Sequence, residues 1–344
     1  MDTKRATIRD IAKVAGVSPS TVFRALKSDV PVSAATRAKI LAAQQLLQNQ
    51  VAESASAAAP VRSVGIVMPA VSASDLSAHP SMFTIITSFL EALSAHNISN
   101  TMLVFDETNM TASAFLAAPK DAYLLIGTSE GQERTLLEAF SAAQIPCVLI
   151  NRQSELPHVS SVAWDDTSAC TDATERLIAL GHQNIVFIGG NKDFQNTRRR
   201  LLGFEMAMKK HNLPIGSDNV MFGEYSELSG YQIGAKIAAR KDRPTAGLFA
   251  SDPLAIGCMR RLVEAGLHLP DDFSMIGFGD IEACHCISPS LSTIAQPSRE
   301  CGVLAAQVLL QMLQMPVISS KLLLKTNLIL RDSVCPPVAE RSGV

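Results

Sequence analysis

The sequence predicts a small all-α head followed by a larger α/β body of two doubly wound parallel-sheet lobes. Two observations carry that prediction. The first 50 residues hold three helical stretches and an excess of base, and a short polar break separates them from the rest. From Ser63 onward, short apolar runs alternate with longer segments of helical spacing, in two successive series. Strands alternating with helices imply βαβ crossovers and a parallel sheet covered on both faces.

The chain has 344 residues, room for two or three units at the usual ~100–200 residues per domain. It is 47% hydrophobic and 18% charged, a composition that buries a core and excludes a disordered chain. The net charge of -2 hides a split. Residues 1–60 carry eight Lys/Arg against four Asp/Glu, and the remainder carries 22 against 28. A basic head on an acidic body predicts that the head meets a polyanion and the body does not. No apolar run approaches the ~20 residues of a membrane span, and MDTKRATIRD at the N-terminus has no signal-peptide core. The seven scattered cysteines include no C-x-x-C and read as reduced, mostly buried thiols of a cytoplasmic protein.

In the head, helices are expected over Ile8–Ala15, Pro19–Leu26 and Ala34–Gln48. Ile8, Ile11, Ala12 and Ala15 fall on one helical face. Gly16 supplies a tight turn, and Ser18 or Pro19 opens the second helix. Val22 and Leu26 then face inward, while Ser20, Thr21 and Arg24 face out. That is a helix-turn-helix, whose second helix reads the major groove. Arg24 has the fork for guanine O6/N7. Thr7, Arg9, Ser18 and Thr21 suit phosphate contact, and Pro19, Ser20, Thr36 and Lys39 complete the DNA-facing set. The spacing alone also fits a plain helical hairpin with a solvated polar face. Residues 51–62, VAESASAAAPVR, have too few large apolar side chains for a core element and read as a linker.

In the body, strands are expected at 64–68, 101–105, 123–127 and 147–150, then at 184–190, 246–250 and 273–278. Helices are expected over Thr167–Leu180, Thr197–Lys210, Leu228–Arg240 and Pro253–Ala265. Gly181 and Gly266 mark helix ends left through positive φ, and Asp165 and Asp252 stand where N-caps belong.

These motifs together resemble the lactose/galactose-repressor (LacI/GalR) family of bacterial transcription regulators. The similarity rests on TIRDIAKVAGVSPSTVFRAL (7–26) and VSAATRAKI (32–40) in the head. In the body, LIALGH (177–182), IVFIGG (185–190), RRRLLGF (198–204), FASD (249–252), IGFGD (276–280), PSLSTI (289–294) and LILRDS (328–333) follow in family order. The resemblance implies a periplasmic-binding-protein-like body, two lobes closing over a small effector, and a homodimer. It implies a head at 1–50, a hinge at 51–62, and a body at 63–344. The lobes would be about 63–160 plus 292–318, and about 161–291 plus 319–335. Two departures stand out. The family usually has Ser where Phe23 sits, and Ala58 occupies about the place of a Leu that wedges into the minor groove.

No dinucleotide, P-loop, zincin or nucleophile-elbow motif is present, so no catalytic residue, cofactor or metal is assigned. Cys284-His285-Cys286 lacks a second ligand pair at finger spacing and reads as a structural loop. Ligands in parallel sheets sit beyond the carboxyl ends of strands. There the sequence offers Asn151, Arg152, Phe194, Ser251, Asp252 and Asp280. By the resemblance, Arg198 is the effector-contacting arginine, Tyr225 a pocket aromatic, and Met82 and Phe83 a rim pair. Gly279 stands where the family has a carboxylate, and Asn151 where it has another. A pocket that loses two acids and keeps its arginines favours an anion. The sequence therefore predicts a cytoplasmic, effector-controlled repressor of carbohydrate genes that binds a near-palindromic operator, with a sugar acid or sugar phosphate as effector and no membrane partner. The alternative is a sugar-binding module or small-molecule enzyme on the same lobes.

Overall fold

The computed structural model describes residues 8–26, 33, 36–43, 62–69, 80–105, 111–127, 130–315 and 319–338. The chain divides into two units, Met1–Arg62 and Ser63–Val344.

In the first unit α1 (Ile8–Ala15) and α2 (Pro19–Leu26) have the expected bounds, and α3 is helical over the described residues 36–43. Ile11, Ala12, Val22, Ala25, Ile40 and Ala43 form one small core. Gly16 turns the chain at φ +67°, and the amide of Val17 closes the turn on the carbonyl of Ala12 at 3.1 Å. Ser18 caps α2, its Oγ accepting from the Thr21 amide at 3.2 Å. Ser33 repeats the device before α3, accepting from the Thr36 amide at 3.2 Å. Both caps satisfy an amide that has no partner within its helix. The linker expected over 51–62 lies outside the described residues, Arg62 excepted.

In the second unit the elements run β1 (Arg62–Pro69), α4 (Pro80–Leu93), β2 (Ile98–Phe105), α5 (Ala112–Ala117), β3 (Ala122–Leu125), α6 (Glu130–Ala142), β4 (Cys147–Ile150) and β5 (Val159–Trp164). They continue as α7 (Asp166–Ala179), β6 (Ile185–Gly189), α8 (Gln195–Lys210), β7 (Val220–Phe222), α9 (Glu227–Ala238), β8 (Ala246–Phe249), α10 (Asp252–Glu264) and β9 (Ser274–Gly279). Last come α11 (Ala283–Cys286), β10 (Ser292–Ala295), α12 (Ser298–Gln314), β11 (Lys321–Leu324) and β12 (Asn327–Ile329). One six-stranded sheet has the order β11-β5-β4-β3-β1-β2, the other β12-β10-β9-β8-β6-β7. β10 and β12 pair antiparallel, while β3 with β4 and β8 with β9, for example, pair parallel.

The inner strands are buried on both faces because helices cover both, whereas the edge strands β2, β7, β11 and β12 are partly exposed. α4 and α12 pack together over one face of the first sheet, and α5 and α6 lie over the other. α7 and α8 cover one face of the second sheet, and α9 and α10 the other. The chain crosses between the sheets three times, and each crossing comes later than the expected bounds. β5 and β11 belong to the first sheet and β10 to the second. The crossings therefore fall at about 165, 296 and 325 rather than 160, 291 and 318. Gly181 and Gly266 leave their helices at φ +98° and +87°, as their positions predict. Asp165 caps α7 through the Ser168 amide at 3.0 Å. At α10 the cap is Ser251, whose Oγ accepts from the Leu254 amide, and not Asp252, which is already inside the helix.

Candidate functional sites: the helical head and the interlobe cleft

The head presents α2 with Pro19, Ser20 and Phe23 exposed and Thr21 half-buried. The Ser18 hydroxyl lies 2.8 Å from that of Ser20 and 2.7 Å from that of Thr21. These hydroxyls form one cluster at the start of the helix, where the helix dipole favours an anion. On α3, Lys39 is exposed, and the Thr36 hydroxyl pairs with that of Ser33 at 2.7 Å. Thr7 and the side chains of Arg9 and Arg24 lie outside the described residues.

In the body, a cavity of about 380 Å³ opens between the two sheets at the carboxyl ends of their strands. The first turns of α4, α8 and α10 reach it through Ser81, Gln195 and Pro253. Three helix N-termini on one cavity give it a positive field. Two guanidinium groups, Arg152 and Arg200, stand in its wall, and among the described residues no Asp or Glu does.

Each arginine is braced by an acid behind the wall. Arg200 is buried, and its Nε donates to Asp166 Oδ1 at 2.7 Å. Its Nη1 donates to the carbonyl of Ala250, and the group lies 3.6 Å over the ring of Phe278. Burial works against the Arg200 charge, but Asp166, with Tyr225 and Cys170 adding to it, holds its pKa above the ordinary value. Burial pushes the Asp166 carboxyl up, and Arg200 pulls it back. Arg152 pairs with the buried Glu133 at 2.7 Å. Tyr225 meets the cavity with its hydroxyl 2.6 Å from that of Thr197, and burial raises the phenol's pKa against the pull of Arg200. The buried Oδ1 of Asn151 has no hydrogen-bond partner, and Asn151 and Trp164 both line the cavity. Gln153 bridges the lobes. Its amide donates to Gln195 Oε1 at 3.3 Å, and its Oε1 accepts from Arg199 Nη2 at 3.2 Å.

Of the residues expected at the effector site, Met82, Asn151, Arg152, Phe194, Tyr225 and Ser251 are in the wall, and four are not. Arg198 is exposed, its Nη1 donating to the carbonyls of Lys192 and Asp193. Phe83 is exposed outside the cavity, about 100° around α4 from the buried Met82. Asp252 is buried, accepting from the Thr293 hydroxyl at 2.6 Å and the Ile281 amide at 3.1 Å. It anchors the turn after β9, and burial pushes its carboxyl up. Asp280, at φ +59°, pairs with Arg331 at 2.6 Å. Gly279 does line the cavity, at φ +140°, a conformation essentially confined to glycine. A Cβ there would come 2.9 Å from Asp252 Oδ2, so any side chain at that position is strained.

Residues 7–48 match the family described as bacterial regulatory proteins, lacI family, and residues 174–334 match the periplasmic binding protein-like domain. A probable HTH-type transcriptional repressor, ExuR, of Bacillus subtilis (strain 168) is 30% identical over 95% of this chain and 98% of its own. The chain belongs to the lacI family of bacterial regulatory proteins. It is a DNA-binding transcription regulator and not an enzyme. A structure of the lac repressor dimer bound to operator and the anti-inducer ONPF is similar, with a TM-score of 0.69 and 26% identity over 96% of this chain and all of that one. So is a lacI-family regulator from Enterococcus faecium with bound ribose, with a TM-score of 0.69 and 26% identity over 80% of this chain and 99% of that one.

In this lacI-family body, Arg200 and Trp164 are wall residues that the sequence reading did not place at the site, and Asp166 braces Arg200 from behind. The local pattern in RRRLLGF does not single out Arg200: it lies three and four residues before Gly203 and Phe204, as Arg198 does before Leu201 and Leu202, and only burial of Gly203 and Phe204 puts Arg200 on the inner face.

Proposed function

We propose that the protein is an effector-controlled repressor of carbohydrate-utilisation genes, acting in the cytoplasm as a homodimer on a near-palindromic operator. Its effector is a small carbohydrate bearing an acid group, a sugar acid or sugar phosphate, bound between the lobes. The head covers residues 1–50, the hinge 51–62 and the body 63–344. One observation carries the effector class: two arginines and no carboxylate in the described wall of the cavity. Guanidinium forks match carboxylate and phosphate oxygens, whereas a neutral sugar gains most from carboxylates that clamp paired hydroxyls. The apolar surface of Ile85, Ile126, Trp164 and Phe278 suits the C–H face of a carbohydrate chain or ring.

The wall draws on both lobes, so an anion held between Arg152 and Arg200 favours one closure state over the other. A two-fold dimer transmits that state as a change in the spacing of its heads, and operator affinity changes by linkage. The described helices include none long and apolar enough to cross a membrane, and the described C-terminal residues carry no leucine heptad to join two dimers.

Thermal melting with a panel of neutral sugars, aldonates, uronates and sugar phosphates tests the effector class. The expected outcome is a rise in Tm with an anionic member and a matching change in gel-shift of the operator. A rise with uncharged sugars only would overturn it. Light scattering at micromolar concentration is expected to give a dimer, and a tetramer would refute that.

A further inference from the structure

We propose that Phe23 reads a thymine methyl group in the major groove of each operator half-site. The inference rests on the operator-binding reading above and extends it to one side chain. Phe23 lies near the middle of α2, next to Val22, which is 0% exposed in the head core, yet Phe23 itself is 50% exposed. A ring half in water forfeits burial free energy that a polar residue at the same place does not.

Its surroundings say what fits it. Ser18, Ser20 and Thr21 form the hydroxyl cluster at the start of the same helix, and Ser20 lies one turn before Phe23. Residues 1–60 carry eight Lys/Arg against four Asp/Glu, and Lys13 and Lys39 are exposed, so the surface suits a polyanion. Hydroxyls contact phosphates or base edges, but a phenyl ring can neither donate nor accept. Among the major-groove features that distinguish the bases, the C5-methyl of thymine is the one that takes an apolar contact. Three residues along a helix advance about 4.5 Å, and base pairs repeat about every 3.4 Å. Phe23 therefore faces a base pair one or two steps from the one below Ser20.

The full-length protein is used to select its duplex from a randomised pool. Each thymine of that duplex is then replaced in turn by deoxyuridine, which removes the methyl and leaves every hydrogen-bonding group. For the unaltered protein, one symmetry-related position is expected to weaken binding about three- to fivefold per half-site, the worth of roughly one buried methyl. Phe23→Ala is expected to weaken binding to the thymine duplex by a similar factor and to ignore deoxyuridine at that position. Phe23→Leu is expected to keep part of the sensitivity. Equal affinity of the unaltered protein for every deoxyuridine duplex overturns the assignment and needs no variant to be folded. An unchanged deoxyuridine profile in Phe23→Ala overturns it as well. Binding of the selected duplex with no methyl effect removes the Phe23 role alone, whereas failure to retain any duplex removes the operator-binding reading with it.

Discussion

The first lobe meets the cleft mainly with Met82, Ile85, Ile126, Ile150 and Trp164, whereas the second brings Gln195, Asn196, Arg200, Tyr225 and Ser251 beside the apolar Phe194, Pro253, Phe278 and Ile281. The two walls also hold their arginines differently. Arg152 is paired with Glu133. Arg200 is fixed by Asp166, by the Ala250 carbonyl and by the face of Phe278. The polar part of the second lobe's wall is thus preformed, oriented before any ligand arrives. The first lobe is a more apolar cover that carries a buried polar atom, Asn151 Oδ1, without a partner. Under the proposed function, the second lobe takes the anion first, and closure of the first lobe then strengthens every charge contact by removing water.

The largest expected effect is at Arg200. Arg200→Ala leaves Asp166 buried without its counter-charge, and breaking such a pair costs about 3–5 kcal/mol. It should lower Tm sharply and abolish the effector response. The double variant Arg200→Leu with Asp166→Leu should recover most of the Tm and none of the response, which separates stability from recognition. If the double variant still responds to the effector, the second lobe is not the anion's anchor. Arg152→Ala uncovers Glu133 in the same way and should weaken effector binding by at least tenfold. A smaller loss than at Arg200 would sharpen the contrast between the lobes, and no loss would break it.

Next in size are the head variants. Arg24→Ala should cost about 1–3 kcal/mol of operator affinity and relax preference at one base of each half-site. Lys39→Ala should weaken binding to all sequences alike and flatten its salt dependence. Gel-shift titrations against operator variants at several salt concentrations measure both, and identical behaviour would show that α2 has been assigned wrongly. At Gly279, substitution by Ala meets both φ +140° and the close Asp252 carboxylate, so a cost of about 1–3 kcal/mol is expected in chemical denaturation. The smallest effect is at Arg198, exposed and outside the cavity wall. Arg198→Ala should leave both Tm and effector response nearly unchanged, and a loss as large as that of Arg200→Ala would overturn the assignment of the cleft arginine.

Much of the fold was legible in the residues. VGIVM, CVLI and AGLFA are apolar along their length, which is what a strand covered on both faces requires, and all are buried. β5 escaped notice because it reads VSSVAW, with two serines at its centre. Both are fully buried, and Ser160 Oγ accepts from the Ser320 amide at 2.9 Å. Its partner belongs to a segment 160 residues away, so no local pattern announces it. β11, on the far side of that pairing, is a short sheet-edge strand of alternating exposure and was equally silent.

Local sequence determined the helix-turn-helix, the strand and helix rhythm of the body, and the glycines that end α7 and α10, because each depends on neighbours within a few positions. Only the tertiary structure decided which of three consecutive arginines enters the cleft. Successive residues turn by about 100° around a helix, so Arg198, Arg199 and Arg200 point in three directions, and their order cannot select one. The rotation of α8 is set by its packing on α7. There a Cβ at Gly203 would lie 2.2 Å from the Thr167 carbonyl oxygen, and Phe204, Ala207 and Met208 are fully buried. That close approach turns Arg200 inward to Asp166 and leaves Arg198 in solvent, and it is a property of two helix surfaces brought together rather than of either segment alone.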